Sequence, residues 1–539
     1  VKKKTAFKTI YKSFKSWFVE SAPMLFAGIS TTFFLAWLSV AQLPYIHSWL
    51  ENVSNMAYDV RLRHATYSQL LKPQSPIVIV DIDDDSLAKQ GRWPWSRSKI
   101  AKLISKIKDH GAVVVGLDIV FPEPEVSVVE AFQKKASEEN IKIPDQFESF
   151  FSQIKEHFDV DQMLVNSLKQ LDSVPGFVFD MTGTETRGML PAPLQFEDHQ
   201  DIFFQEIPTA KGYLGNIAII QQNVPHGGFI NAIPDADGIL RQTNLFIKYQ
   251  GQIYPSLGVE VARLYLLSEM LKVKSDSKKS ILEGVFIDSK LIPTDPEARI
   301  YIPYRGKAGS FPYVSATDVL EGRLSSKFLE GKIVLIGTSA TGMGDLKSTP
   351  VAPVYPGVEV HATIIDGILN NRIYYHPSWA SDMIVWLTVG IGGIISVLWV
   401  ALSVRELVLG TVFLTALLFF LNQYLWSAYH YVLSFLMPII LVWFIFLMNL
   451  GHGYWRESRK KSQLKSMFGQ YVPPQHVEKM LTDPSVYDLE GESREMTVLF
   501  ADIRNFTSLT EKMTAAELKR ILNDYLTPMT KIIFDHDGT

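Results

Sequence analysis

The chain has 539 residues, enough for several domains, and a net charge of −4 with no excess of basic residues, which argues against a nucleic-acid surface. It has no cysteine, so disulfides, thiolate catalysis and cysteine metal sites are excluded, although the compartment is not fixed. The apolar excess lies in two places, and these mark a membrane protein.

Lys2, Lys3, Lys4, Lys8, Lys12 and Lys15 make residues 1–22 a basic tail that belongs in the cytoplasm. The uncharged run Pro23–Leu43 then has the length of one bilayer crossing, so a transmembrane helix is expected over 23–44. The run is long for a cleaved signal peptide, which favours a retained anchor.

Residues 45–380 read as an α/β domain. Ile77–Ile82 is a buried-strand run, and Ser96–His110 is a helix with Ile100, Leu103, Ile104 and Ile107 on one face and Gly111 at its C-cap. With Ala112–Phe121 as the next strand, this is a βαβ unit and demands parallel pairing. Further strands are expected at Phe177–Phe179, Gly215–Ile220, Thr243–Tyr249, Ile300–Tyr304 and Ile333–Gly337, and helices at Pro255–Leu267 and Val358–Leu369. Glu123–Glu156 reads as a helical or mobile insertion.

The chemistry of this domain is modest. Asp81, Asp83, Asp84 and Asp85 at a strand end suit either a cation or the cap of the next helix. Asp235-Ala-Asp237-Gly238 starts like a calcium loop, but Ile239 fills the next ligand position and no Glu closes the loop, so a turn is expected. Gly337–Gly342 follows a strand without fitting a phosphate-loop or dinucleotide pattern, and reads as a tight turn or a pocket wall. His361 reads as a structural helix residue. No catalytic constellation is visible here, which leaves a binding or sensing module.

The phrases DIDDDSLAKQGRWPWSR from Asp81, GLDIVFPEP from Gly116, GKIVLIGTSATGMGD from Gly331 and PGVEVHATIIDGIL from Pro356 resemble the second type of CHASE sensor domain. The resemblance covers most of Ile77–Arg372. It implies an extracytoplasmic sensor of a bacterial receptor with several transmembrane helices directly after it, and it leaves the sensed ligand or partner unknown.

The second apolar region, Met383–Trp455, carries only Arg405 and Glu406 as fully charged residues. Met383–Val404 makes one span, and Leu407–Trp455 divides around Ser427–His430 into two, so three transmembrane helices are expected within 381–453. Arg456, Arg459, Lys460 and Lys461 mark the cytoplasmic side. Four spans with both ends inside place Tyr45–Ser381 outside. Gly390, Gly392 and Gly393 would allow close helix contact in the membrane.

The connector, 454–492, begins with the helix-permissive Tyr454–Phe468, which Pro473 and Pro474 end. Val477, Met480 and Leu481 mark a short second helix, closed by Asp483–Pro484. In residues 493–539, Met496–Ala501 is expected to form a buried strand that delivers Asp502 at its end. Ser508-x-x-Glu511 is spaced as a capping box, and Thr514-Ala-Ala-Glu517 as a second one. The latter opens a helix to about Asp535 with Leu518, Ile521, Leu522, Tyr525, Leu526, Met529 and Ile532 on one face. A carboxylate at a strand end beside free backbone N–H groups suits a metal-bound polyphosphate, although an Asp that merely caps a helix is the plainer reading.

The stretch REMTVLFADIRNFTSLTE, Arg494–Glu511, resembles the opening of the class III adenylate and guanylate cyclase domain, commonly FADIRGFT, with Asn505 here in place of Gly. FGQYVPP, from Phe468, resembles the junction that precedes such domains. The resemblance implies two Mg²⁺ or Mn²⁺ ions held by Asp502 and the Ile503 carbonyl, and phosphates cradled by the backbone of Asn505, Phe506 and Thr507. It further implies conversion of ATP to cyclic AMP and pyrophosphate in a homodimer, with GTP as the alternative substrate. The family's second metal Asp and its transition-state residues would come after Thr539, so the chain as given is expected to be inactive.

The whole reads as a multi-domain membrane protein of a bacterial inner membrane. It combines an α/β extracytoplasmic sensor, four transmembrane α-helices in contact with membrane lipid, and the start of a ferredoxin-like α+β cyclase domain. A non-enzymatic membrane sensor or scaffold with a partner-binding cytoplasmic segment is the alternative.

Overall fold

Strands buried on both faces are apolar without alternation, and the computed structural model sets three such runs side by side. It describes residues 2–41, 43–67, 75–126, 128–139, 141, 143, 150, 159–197, 201–276, 281–340, 346–468, 495, 497–510, 513–536 and 538. By its internal contacts the chain divides into two units. One holds Phe33–Gly390 and Thr415–Ile439, and the other holds Val1–Thr32, Ile391–Leu414 and Ile440–Thr539.

The first unit is built on an eight-stranded sheet. Its strands in chain order are β1 (Ile77–Asp81), β2 (Val114–Leu117), β3 (Asp172–Asp180), β4 (Thr186–Arg187), β5 (Gly212–Leu214), β6 (Gly228–Phe229), β7 (Tyr313–Ser315) and β8 (Ile333–Gly337). Their spatial order is β7-β1-β8-β2-β3-β5-β4, with β6 also paired to β3. From β7 to β3 all pairs are parallel, with Ile79 opposite Leu335 and Val114 opposite Ile333.

Side chains alternate between two helical layers, as a period of two requires. Ile77, Ile79, Val114, Val174 and Leu335 pack under the helices Leu257–Tyr265 and Gly357–Leu369. Val78, Val80, Val115, Leu117 and Ile336 pack under Arg97–Asp109, Val160–Leu168 and Ala316–Leu320. The expected βαβ unit is therefore present, with Ser96 accepting a bond from the Lys99 N–H and Gly111 at a φ of +89° ending the helix. Gly228 is needed at the crossing of β6 and the helix Leu257–Tyr265, because a Cβ there would come within 2.6 Å of the Leu257 backbone nitrogen.

Some expected elements are corrected. Gly215–Ile220 is no strand: β5 stops at Leu214 and a helix runs from Ala218 to Asn223. The buried Asn216 explains the stop, since its side chain accepts from the Phe121 N–H at 2.9 Å and donates to the Gly176 carbonyl at 3.0 Å. Thr243–Tyr249 splits into Gln242–Asn244, paired with Arg299–Tyr301, and Phe246–Tyr249, paired with Gln252–Pro255. Gln250 and Gly251, both at positive φ, turn that second hairpin. Within Glu123–Glu156 a helix spans Val128–Glu138. The helix Pro44–Tyr67, absent from the sequence reading, comes directly after the first apolar run.

Four helices are long and apolar enough to cross a membrane: Ser21–Val40, Ala380–Ala401, Val404–Tyr429 and Leu436–Gln463. Phe26, Trp386, Phe413 and Phe420 leave most of their surface uncovered by protein, as lipid-facing residues do. His430, at a φ of +57°, breaks the chain between the last two helices where the sequence indicated a turn.

In the second unit Gly392 packs against Thr32 and Leu441, and Gly28 against Ser396, so small residues bring helices together. Gly390 and Gly393 have open space where a Cβ would lie. Residues 497–501 form no strand, and Val498, Leu499 and Phe500 are exposed. A strand needs a neighbour for its backbone groups, and no strand lies beside this one among the described residues. The short helix Phe506–Thr510 already contains Ser508, which therefore does not cap it, while Glu511 lies outside the described residues. The Thr514 box does form: the Thr514 hydroxyl donates to the Glu517 carboxylate at 2.7 Å, opening the helix Ala515–Asp535. The connector residues from Gly469 to Arg494, with Pro473, Pro474 and Val477, lie outside the described residues.

His361 on the helix Gly357–Leu369 is buried, 3.9 Å from Asp118, and burial lowers its pKa from 6.5 to about 4, with Lys347 adding to the shift. The folded state thus binds fewer protons than the unfolded chain between these values. Stability from this group is present above pH ~6.5 and about 3 kcal/mol of it is lost as pH falls to ~4. Thermal unfolding of the detergent-solubilised protein should show that loss in the native chain relative to His361→Gln.

Candidate functional site

Two places gather polar groups. The first lies where the helix Pro44–Tyr67 meets the sheet-bearing domain. Asp59 on that helix and the turn Asp235–Gly238 converge on Arg241, which is almost fully buried. The Arg241 Nε and Nη2 donate to the two Asp59 oxygens at 2.8 and 2.9 Å, Nη1 donates to Asp235 and Asp237 at 3.0 and 2.9 Å, and Nη2 donates again to Asp237 at 2.8 Å. All five guanidinium N–H groups are therefore matched.

Burial alone would lower the Arg241 pKa, but the three carboxylates outweigh it and raise it. Burial raises that of Asp235 despite Arg241, whereas the Arg241 hydrogen bond lowers that of Asp237. The calcium-like phrase is thus a turn, closed by the Gly238 N–H on the Asp235 carbonyl, and its acids serve an arginine.

Beside this cluster is a cavity of about 1710 Å³. Aromatic rings form part of its wall: Tyr58 lies 4.8 Å from Tyr301 and 5.4 Å from Trp426, and Tyr374 stacks on Trp426 at 4.5 Å. The Arg61 guanidinium sits 4.9 Å from the Trp426 ring, and burial lowers its pKa.

The acidic run at β1 does other work. Asp81 accepts from the Ser339 N–H at 2.8 Å and from its hydroxyl, and burial raises its pKa. Asp83 accepts from the Ser86 N–H at 2.7 Å and caps the helix Asp84–Gln90. Ser339 thus belongs to a turn fastened to β1, while Thr341 and Gly342 lie outside the described residues. Among the described residues no group of three or more His, Asp or Glu is arranged to hold a metal ion.

The second place is the segment 502–507. The Ile503 N–H donates to Asp502 Oδ1 at 2.8 Å, and the Phe506 N–H to the Ile503 carbonyl at 3.3 Å. Asn505 has a φ of +63°, the left-handed region that glycine fills most easily. Asp502, Ile503 and Asn505 thus lie just ahead of the short helix Phe506–Thr510, whose first residues are Phe506 and Thr507; Asp502, Asn505 and Thr507 are exposed and Ile503 and Phe506 half-buried. One carboxylate and one carbonyl fit as part of the shell of a divalent ion, whose usual six oxygens they leave incomplete.

The CHASE2 domain family matches residues 32–402, which take in the sheet, its helices, the apolar helix Ala380–Ala401 and the end of the first one. The chain belongs to the CHASE2 domain family. A stretch of 74 residues is also 36% identical to an adenylate cyclase of Anabaena cylindrica, covering 13% of this chain and 14% of that protein. The chain thus matches only a small part of that relative's length. No solved structure matches the chain. CHASE2 membership with four candidate membrane helices indicates a receptor-type membrane protein.

Sequence reasoning missed Tyr58, Asp59, Arg61, Arg241 and Trp426 of this CHASE2 chain. Only the (i, i+4) spacing of Asp237 and Arg241 was a local signal. Arg241→Met would leave three carboxylates without their partner and should destabilise the CHASE2 unit by about 3–5 kcal/mol. Arg323, paired with Asp318 at the surface, should lose far less on the same change. Denaturant unfolding of the solubilised protein compares the two.

Proposed function

We propose that the chain is part of a transmembrane receptor-type nucleotide cyclase that senses a signal outside the cytoplasm and converts ATP to cyclic AMP and pyrophosphate. The observation that carries this is the pairing, on one chain, of CHASE2 membership with a stretch similar to an adenylate cyclase. The phrase around Asp502 and the left-handed φ at Asn505, where the cyclase pattern has Gly, support the class III form.

In this reading the basic ends lie in the cytoplasm of a bacterial cell and residues 45–380 outside its inner membrane, with spans at 23–44 and within 381–453. Residues 454–492 connect the membrane to a catalytic domain that begins at 493. Asp502 and the Ile503 carbonyl contribute to a site for Mg²⁺ or Mn²⁺, completed by residues beyond those described. The bound ions would supply Lewis-acid stabilisation of phosphoryl charge. The backbone of Asn505, Phe506 and Thr507 faces the nucleotide phosphates, and two copies of the chain complete the catalytic pair.

In a version of the chain that carries a complete catalytic domain, Asp502→Ala should abolish cyclase turnover while expression and membrane insertion stay unchanged. Turnover retained with Mg²⁺ or Mn²⁺ would refute the role of Asp502. The last apolar helix runs without a break from Leu436 to Phe468 and so carries rotation from the span into the connector. Two residues inserted after Lys461 turn the downstream chain by roughly 200°, whereas seven nearly restore the phase. The shorter insertion should therefore alter basal activity more than the longer one, as a cyclic AMP assay would show.

A further inference from the structure

The cavity beside Trp426 has walls of two kinds. Leu38, Ile384, Leu418, Leu436 and Ile439 line one part, all from the ends of the apolar helices. Arg61, His64 and Gln242 line another, from the helix Pro44–Tyr67 and the α/β domain. At about 1710 Å³ the cavity exceeds the roughly 300–1,000 Å³ of ordinary small-molecule pockets, so it has room for a long ligand.

Most charges on the polar wall are already spent. Asp235 and Asp237 are held by Arg241, and Asp295 and Arg299 pair at 2.8 Å. Arg372 pairs with Asp366, Glu51 lies 3.7 Å from His47, and Asp382 also has a partner. Arg61 differs: among the described residues it has no carboxylate partner, and its one contact of note is the Trp426 ring. Three residues before it on the same helix face, the buried Tyr58 hydroxyl has no hydrogen-bond partner. That hydroxyl is itself closed off from the cavity, so Arg61 is the group left to meet a charged ligand there.

A cationic ligand is disfavoured by the same geometry. The aromatic face that would receive it is taken by the chain's own guanidinium, and Tyr374 stacks on Trp426 as well. We propose that this cavity binds an anion-headed amphiphile, with its carboxylate or phosphate on Arg61 and its acyl chain between the helix ends. The proposal gives the sensing half of the receptor reading a ligand class. Its test reads binding rather than turnover, so its failure would leave the cyclase reading standing.

The full chain in phosphatidylcholine nanodiscs would be titrated with radiolabelled palmitate, hexadecanol and hexadecyltrimethylammonium. Palmitate should bind saturably and more tightly than the other two. Arg61→Gln should weaken palmitate about tenfold or more, the scale of a lost charge-assisted hydrogen bond, and leave hexadecanol unchanged. Competition by phosphatidylglycerol would support the class with the bilayer as its source, and lack of competition would support it with a free acyl acid. Palmitate binding that is equal in the native chain and in Arg61→Gln, or tighter binding of the ammonium, would overturn the proposal.

Discussion

Arg241 is the interaction on which the sensor's membrane-proximal end depends. A guanidinium removed from water this completely is tolerated only if its N–H groups are all bonded and its charge is matched. Asp59 supplies two of the five bonds from a position 182 residues earlier in the chain. That pairing fixes the rotation of the helix Pro44–Tyr67, because Asp59 has to face the turn at Asp235–Gly238. With Asp59 so placed, Tyr58 lies against Tyr301 and Trp426, and Leu62 enters the main core. The aromatic wall of the cavity and the position of Arg61 are consequences of the same constraint.

The centre of the sheet was legible because its information is local and periodic. Ile77–Asp81 and Ile333–Gly337 are buried at every position, and an amphipathic helix with a Ser96 cap lies between β1 and β2. Where reading failed, a distant partner decided the outcome. Nothing near Gly215–Ile220 announces that Asn216 will satisfy the backbone of Phe121 and Gly176, and that contact is what ends the strand. The cavity was illegible for the same reason, since its walls join residues from 38 to 439. Tyr58 and Arg61 look like ordinary positions of a polar helix until the sheet domain and the helix ends close around them.

The segment 497–535 separates local from non-local information within a few dozen residues. The bonds between Thr514 and Glu517 form within one turn, and the positive φ at Asn505 is a single-residue property. The capping box at Thr514 matches the sequence reading. The apolar run Val498–Ala501 has the composition of a buried strand, yet its backbone finds no ladder among the described residues and Phe500 stays almost wholly exposed. Apolar composition states that a segment would gain from burial; it does not supply the neighbour that buries it. The exposed face of the helix Ala515–Asp535, with Tyr525, Leu526 and Ile532, makes the same demand beside it. Apolar surfaces of this kind gain from burial only where another layer of the fold meets them, and among the described residues none does.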